Sequence, residues 1–320
     1  MKLQSVLLIG GTGFLGRHLA NQLSARGIRV IVPTRRIERA QRLYLLPTAQ
    51  VVQADIFADG VLERLCQGVD AVVNLVGVLH SRSGSPYGSD FARAHVELPR
   101  RLVAAATASG VRRLVHVSAL GADVAGPSEY LRSKADGEAA IRAAGDTIEW
   151  TIFRPSVVFG PEDRFLNLFA SLTGLFPVMP LGGANARFQP VFVGDVSRAI
   201  LAALERDLGI GETHELAGPK VYTLAELVRY AAAESGHRVY VIGLHRLFAM
   251  MQAQVLAWLP GDLMSPDNVR SMDRDNVASG APQPFGLAPT ALEAVAPAWL
   301  GGKNLRRRFD QMRAASRDES

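Results

Sequence analysis

Cysteine is nearly missing from this sequence: among 320 residues there is one, Cys66. A single thiol excludes an internal disulfide and fits a reducing, cytoplasmic setting. Its surroundings, VLERLCQG, read as a short helix with a buried structural thiol. Long apolar runs are missing too. No uninterrupted stretch is long enough to span a bilayer, and the early residues lack the charged, apolar and cleavage-site series of a signal peptide. There is no metal-type His/Cys spacing, no nucleic-acid motif and no short-period repeat, which sets aside zinc modules, nucleic-acid readers and solenoids. Charge of one sign is scarce in excess: 35 Lys and Arg against 30 Asp and Glu leave +5. Part of that excess sits in 303–320, with six basic and three acidic residues, which reads as a solvated basic tail. A hydrophobic content of 48% and 20% charge then describe an ordinary soluble globular chain with ample core.

What is present is organised around VLLIGGTGFLG, residues 6–16. An apolar run meets Gly10, Gly13 and Gly16, with two residues between each pair, and an amphipathic stretch with Leu15, Leu19 and Leu23 follows until Gly27. That is strand, tight turn, helix. The glycines allow the turn, let backbone approach a diphosphate and pack helix on strand, while the helix N-terminus attracts the anion. Gly10, Thr12, Gly13, Phe14, Leu15, Gly16 and Arg17 are therefore the candidate contacts to a dinucleotide.

The second strand (28–33) ends in Thr34, Arg35 and Arg36. A carboxylate there would hydrogen-bond the ribose 2′-hydroxyl of NAD(H) and repel a 2′-phosphate. Arg35 and Arg36, with Arg17, favour NADP(H) over NAD(H) instead, because a guanidinium fork suits phosphate. A third strand (51–56) places Asp55 and Ile56 near the adenine; the Asp55 carboxylate either accepts from the adenine amino group or caps the next helix. A fourth (71–77) should run its end, Leu75, Val76 and Gly77, under the cofactor, since ligands bind at the carboxyl ends of parallel strands. The turn-rich 81–90 reads as a loop at the site mouth, then come a helix (90–109) and a fifth strand (112–120) with Ser118 near its end. Strand–helix alternation throughout predicts a parallel sheet with helices on both faces.

Chemistry enters with EYLRSKADGEAA, where Tyr130 and Lys134 share one helix face. A lysine one turn beyond a tyrosine can lower the phenol's pKa and bond the nicotinamide ribose, leaving the phenol to give or take a proton as hydride passes. Ser118 can bond the same substrate oxygen. Ser118, Tyr130 and Lys134 form the candidate catalytic set.

GGTGFLG, that set and RPSVVFGP (154–161) resemble the extended or atypical short-chain dehydrogenase/reductases. Residues 116–138, 153–172 (with its EDRFLN motif) and 187–200 resemble more closely the branch that includes the accessory subunit of mitochondrial respiratory complex I and its bacterial relatives. The resemblance implies NADPH at the glycine turn, with Pro155, Ser156 and Val157 lining the nicotinamide side. It also implies that the Tyr and Lys can persist where the nucleotide is structural, as in that subunit, and other relatives are associated with ubiquinone synthesis. Two departures stand out: only twelve residues separate Ser118 from Tyr130, and His95 occupies a place where extended members usually carry asparagine. His95 reads as a satisfied packing residue.

The fold expected is α/β, a doubly wound Rossmann sheet from 1–160 with pieces of 186–217, and a smaller C-terminal substrate-side domain from 161–185 and 218–300 that closes over the cleft. A sixth strand (147–160), a strand at 188–193, a helix capped by Asp195 and a helix at 222–236 complete the pattern. The apolar 165–183 either walls a substrate pocket or covers the sheet edge. Residues 244–264 form a helix with large apolar side chains, Leu247 to Leu259, on more than one face. It is core or dimer contact on one reading, and a peripheral-membrane, quinone or respiratory-complex contact through 244–259 at the inner face of the membrane on the other. The residues at 291–300 read as a closing helix. Two functions fit: an NADP(H)-dependent oxidoreductase for an apolar carbonyl, alcohol or quinone, and a non-catalytic NADPH-binding accessory or assembly protein. The sequence specifies no oligomeric state.

Overall fold

The structure, a computed structural model, describes residues 3–257 and 264–301. The chain divides into two compact units, the first from Met1–Pro155, Val193–Leu216 and Ala278–Ala288, the second from Ser156–Phe192, Ala217–Val277 and the segment that starts at Pro289.

In the first unit seven strands form one sheet: β1 (Ser5–Ile9), β2 (Arg29–Thr34), β3 (Ala49–Gln53), β4 (Ala71–Asn74), β5 (Arg113–Val117), β6 (Glu149–Pro155) and β7 (Glu212–Leu216). Their spatial order is β7-β6-β5-β4-β1-β2-β3, every pairing parallel. The order reverses between β1 and β4, which makes a cleft at their carboxyl ends. Helices α1 (Phe14–Ala25), α2 (Val61–Cys66), α3 (Leu98–Ala108), α4 (Glu129–Arg142) and α5 (Val193–Glu205) make the crossovers. Central strands β1, β4 and β5 are buried at every position, as expected when helices cover both faces, with Asn74, Arg113 and His116 among the buried polar members. Leu7, Val72, Leu98, Leu102, Leu114 and Ile152 form the heart of one core. Cys66 belongs to that core, and burial, with a smaller push from Glu63, raises its thiol to about 12, so it is inert at neutral pH.

Several expectations shift. The third strand ends at Gln53, and Asp55 neither extends it nor caps α2: its exposed carboxylate accepts from the Phe57 N–H at 3.1 Å, a local turn, while Gly60 occupies the N-cap of α2. The helix containing Asp195 begins two residues earlier, at Val193, so Asp195 is no cap but pairs with Arg198 at 2.5 Å inside the first turn.

In the second unit, helix Leu166–Leu175 packs on helix Leu224–Glu234 around Leu166, Ala170, Leu227, Val228 and Ala231. Asp163 starts the first of these, accepting from the Phe165 and Leu166 N–H groups at 2.8 and 2.6 Å, and Asn167 reaches back to the Gly160 carbonyl. The EDRFLN motif is thus a helix-start device. Thr223 and Glu226 form a capping box on the second helix. The expected strand at 188–193 is split into Arg187–Phe188 and Val191–Phe192, which pair with Tyr222–Thr223 and Val158–Phe159. Unexpected from the sequence is strand Tyr240–Leu244, parallel to Val178–Gly182. The apolar helix runs Arg246–Leu256, and the core expectation fails for most of it: Ala249 and Ala253 are buried, whereas Leu247, Phe248, Met251 and Val255 are 55–66% exposed. Trp258 and Leu259, and the basic tail after Gly301, lie outside the described residues. The stretch at 291–300 forms two short helices, Leu292–Val295 and Pro297–Leu300.

Candidate functional site

The site grows from the turn after β1. Gly10 has φ +83°, and a Cβ there would come within 3.2 Å of the Leu75 carbonyl carbon and the Val76 nitrogen, so the turn lies directly on the exit of β4. A Cβ on Gly16 would lie 2.5 Å from the Gly10 carbonyl oxygen, which leaves glycine as the residue that lets α1 rest on its own turn. The N-cap, Gly13, is exposed, makes no side-chain cap, and no acidic residue stands in the first turn of α1. The N–H groups of Phe14 and Leu15 therefore face outward at the positive end of the helix. This cradle fits a dinucleotide diphosphate. Arg17 folds back on it, its guanidinium donating to the Thr12 carbonyl at 2.8 Å. Arg35 and Arg36 follow β2 and are exposed; neither makes an ion pair with a described residue, and Thr34 Oγ1 ties the backbone of Arg36 in place.

At the exit of β4, Asn74 accepts from the Val76 N–H and its amide meets the buried His116 ring at 3.1 Å. Gly77 is exposed, and a Cβ on it would stand 3.9 Å from His95 Nε2 and 4.0 Å from Lys134 Nζ. Ile56 packs against the core, while Asp55 lies exposed beyond β3. Pro155 ends β6 and is buried. In the second unit Asn276 Oδ1 holds the start of the strand containing Val158, accepting from Ser156 Oγ at 2.6 Å and from the Val157 N–H at 3.2 Å.

Helix α4 carries the chemistry. Ser128 caps it, Tyr130 and Lys134 lie one turn apart, and the loop residues Gly84 and Gly88 donate to Glu129 while Tyr87 donates to Asp136. The loop at 81–88 is thereby pinned to the helix that bears Tyr130. The phenol ring is half-buried, edge-on to Phe91 and His95 with centroids at 6.1 and 5.5 Å. Burial pushes its pKa up to about 12. This reverses the lowering expected from Lys134. The lysine is itself buried, donates to the Val117 carbonyl at 2.9 Å, and is held down to about 8 by loss of solvent, against a smaller pull from Glu138.

His95 is satisfied on both nitrogens. The Val78 N–H donates to Nε2 at 3.0 Å, so the proton sits on Nδ1 and points to Ser133 Oγ, which donates to the Tyr130 carbonyl. Burial first, then Lys134 and His116, lower this imidazole to about 2, so it stays neutral. It lies in a π turn, Ala92–Glu97. Pro99 has no N–H to give the His95 carbonyl four residues back, and that carbonyl turns toward α4, where a Cβ on Gly137 would come within 2.1 Å of it.

The largest feature absent from the sequence reading is Glu138. It is fully buried and receives two hydrogen bonds from Arg154, at 2.7 and 2.6 Å, and one from Arg142 at 2.6 Å. Burial alone would raise its carboxyl pKa, but Arg154, Ser118 and Arg142 outweigh that and hold it below the ordinary range. The Ser118 hydroxyl is buried beside this carboxylate and makes no well-formed hydrogen bond, so it is not open to a substrate oxygen as it stands. A cavity of about 290 Å³ opens beyond the cluster, lined by Arg142, Arg154, Thr213, His214, Glu215 and Ser279. The sequence held one signal: Tyr130, Lys134, Glu138 and Arg142 recur every four residues.

A parallel sheet reversing at β1, with a glycine cradle at the reversal, defines an NAD(P)-binding Rossmann protein. The model of the NAD dependent epimerase/dehydratase family matches residues 6–217, and the chain belongs to that family. It is 35% identical over 240 residues to the mouse mitochondrial protein "NADH dehydrogenase [ubiquinone] 1 alpha subcomplex subunit 9", a match covering 73% of this chain but 62% of that protein. It is 32% identical over 241 residues to a ceramide reductase of Caulobacter vibrioides, covering 75% of this chain and 73% of the relative. Among solved structures it is similar to the dTDP-glucose 4,6-dehydratase DesIV of Streptomyces venezuelae with NAD bound: TM-score 0.65, 25% identity, 76% and 85% of the two chains covered.

Proposed function

We propose that this protein is an NADP(H)-dependent reductase acting on an apolar carbonyl or quinone-like compound. The observation that carries the reading is the Tyr130 phenol, half-open, fixed by two rings and protonated at neutral pH, one turn from a buried lysine beside Gly77. Burial keeps this phenol protonated at neutral pH, the state that proton donation to a substrate oxygen needs.

The N–H groups of α1 would hold the diphosphate and Arg35 and Arg36 the 2′-phosphate, with Leu75, Val76, Gly77 and Pro155 as the candidates on the nicotinamide side. Asp55, exposed beyond β3, accepts from the adenine amino group. When bound, the nicotinamide supplies hydride. Tyr130 gives its proton to the substrate oxygen as charge builds there, and the Lys134 ammonium steadies the phenolate left behind. Lys134 also has protons left for the ribose, since the Val117 carbonyl takes one of three. Ser118 becomes a second donor to the substrate oxygen by turning its hydroxyl away from Glu138 about χ1. The family supports chemistry with a nicotinamide dinucleotide, and the relative named as a ceramide reductase favours an apolar substrate.

The test is NADPH oxidation, followed by nicotinamide absorbance, across a panel of long-chain carbonyls and short-chain quinones. At least one should be reduced, and NADH should serve poorly. Replacing Arg35 and Arg36 together by alanine should weaken NADPH binding about tenfold or more, the worth of charge-assisted phosphate contacts, and leave NADH binding unchanged. Equal losses for both nucleotides would contradict the 2′-phosphate assignment.

A second reading rests on the mouse relative: a non-catalytic NADPH-binding accessory or assembly protein of a respiratory NADH:quinone oxidoreductase or of ubiquinone synthesis. It predicts nucleotide that co-purifies, resists exchange and is never oxidised.

A further inference from the structure

Helix Arg246–Leu256 is amphipathic the wrong way round. It turns its small residues inward: Ala249 and Ala253 are buried with Val269, and Ala249 sits so close to strand Val178–Gly182 that a Cβ on Gly182 would lie 2.8 Å from its methyl. Its large apolar residues face out. Leu247, Met251 and Val255 stand at four-residue spacing in one exposed stripe, with Phe248 beside it, each more than half exposed. The adjoining strand pair repeats the pattern. Tyr240 is 71% and Val178 50% exposed, and the two are direct neighbours in register; Ile242 is exposed two pairs further along, opposite Pro180. The helix and this strip join at Pro180, whose carbonyl accepts from Gln252 at 2.8 Å. Leu175 and Phe176, at the end of the preceding helix, are 74% and 55% exposed. An apolar surface of this extent, formed from three adjacent elements of one unit, marks an interaction site.

Charge says what covers it. Residues 165–186 hold no charged side chain, and 235–257 hold Arg238, Arg246, His237 and His245 but no Asp or Glu. Arg164 and Arg238 are exposed and make no ion pair with a described residue; Arg246 pairs with Asp273 at 2.7 Å. Together these two segments therefore carry cations and no carboxylate of their own, which suits an anionic bilayer, because apolar side chains enter its interface while cations meet lipid phosphate. No helix among the described residues is long and apolar enough to cross a membrane. We propose that this surface docks the protein on the face of an anionic phospholipid bilayer, with Leu247, Phe248, Met251 and Val255 inserted at the interface. The inference is independent of turnover.

The experiment is co-sedimentation of the full chain with phosphatidylcholine vesicles, with and without phosphatidylglycerol. Binding should be strong only with phosphatidylglycerol, weaken as salt is raised, and fall about tenfold or more in the double variant Leu247→Glu, Val255→Glu. Arg238→Glu should weaken it less. Both substitutions are on exposed positions, so an unchanged melting temperature certifies the fold. Absence of binding to either vesicle overturns the proposal, as does a double variant that binds like the parent. A sedimentation-velocity dimer that the double variant dissolves would overturn it as well, by giving the surface to a second copy of the chain.

Discussion

Tyr130→Phe should cut turnover steeply and leave nucleotide binding intact. The phenylalanine keeps the edge contacts with Phe91 and His95 that hold the ring, and loses one hydroxyl. If that hydroxyl is the proton donor, kcat falls by about 10²–10⁴, the usual worth of a positioned acid. The dissociation constant for NADPH should stay where it was, because the contacts proposed for the diphosphate and 2′-phosphate lie elsewhere. The pH profile carries the same claim. Tyr130, at about 12, keeps its proton through the neutral range, but Lys134, at about 8, loses its charge within reach of ordinary buffers. Reduction should therefore be flat below neutrality and decline as pH rises through about 8, when the phenolate loses its nearby cation. A bound-state rate indifferent to Tyr130→Phe would remove the phenol from the chemistry.

The second large effect is on stability. Glu138→Leu leaves Arg154 facing an apolar wall and Arg142 with only Thr213, at 3.2 Å, in its place. Breaking a buried ion pair at one partner costs about 3–5 kcal/mol. The low end, about 3 kcal/mol, is expected here, since the Arg154 and Arg142 side chains keep 25% and 40% of their exposure and solvent recovers part of the loss. Arg142→Ala, the more exposed partner, should cost about 1 kcal/mol or less. Denaturant titration of both variants separates them. The pH dependence follows from sign: the carboxyl pKa in the folded state lies below its unfolded value, so the cluster's contribution is complete above the unfolded pKa and is lost as pH falls through the folded one. Glu138→Leu should flatten that acid limb.

Much of this was legible before any coordinates, and the reason is locality. Gly10, Gly13 and Gly16 announce a turn whose geometry admits nothing larger, and alternation of strand with helix leaves few ways to order the sheet. Tyr130 and Lys134 share a face because a helix has one periodicity. What escaped is non-local or a contest between near-equal local options. Asp55 had a helix to cap or an adenine to meet, and its side chain accepts from the Phe57 N–H while Gly60 takes the N-cap of α2. Tyr240–Leu244 becomes a strand because Val178–Gly182, some sixty residues earlier, offers it an edge. Glu138, on α4, gains its place from Arg154, which comes from strand β6. The phenol's pKa was misjudged because spacing reports a neighbouring charge and is silent about burial, and here burial decides. The same silence surrounds 246–256: apolarity alone did not tell an inward face from an outward one.

The central claim, hydride transfer assisted by Tyr130, is tested most directly with NADPH deuterated at the transferring position. With a carbonyl substrate, deuterium is expected on the carbinol carbon of the product, and none is expected with Tyr130→Phe. NADPH that stays bound and chemically unchanged before every carbonyl and quinone offered would contradict it, and would leave the nucleotide a structural part of the fold.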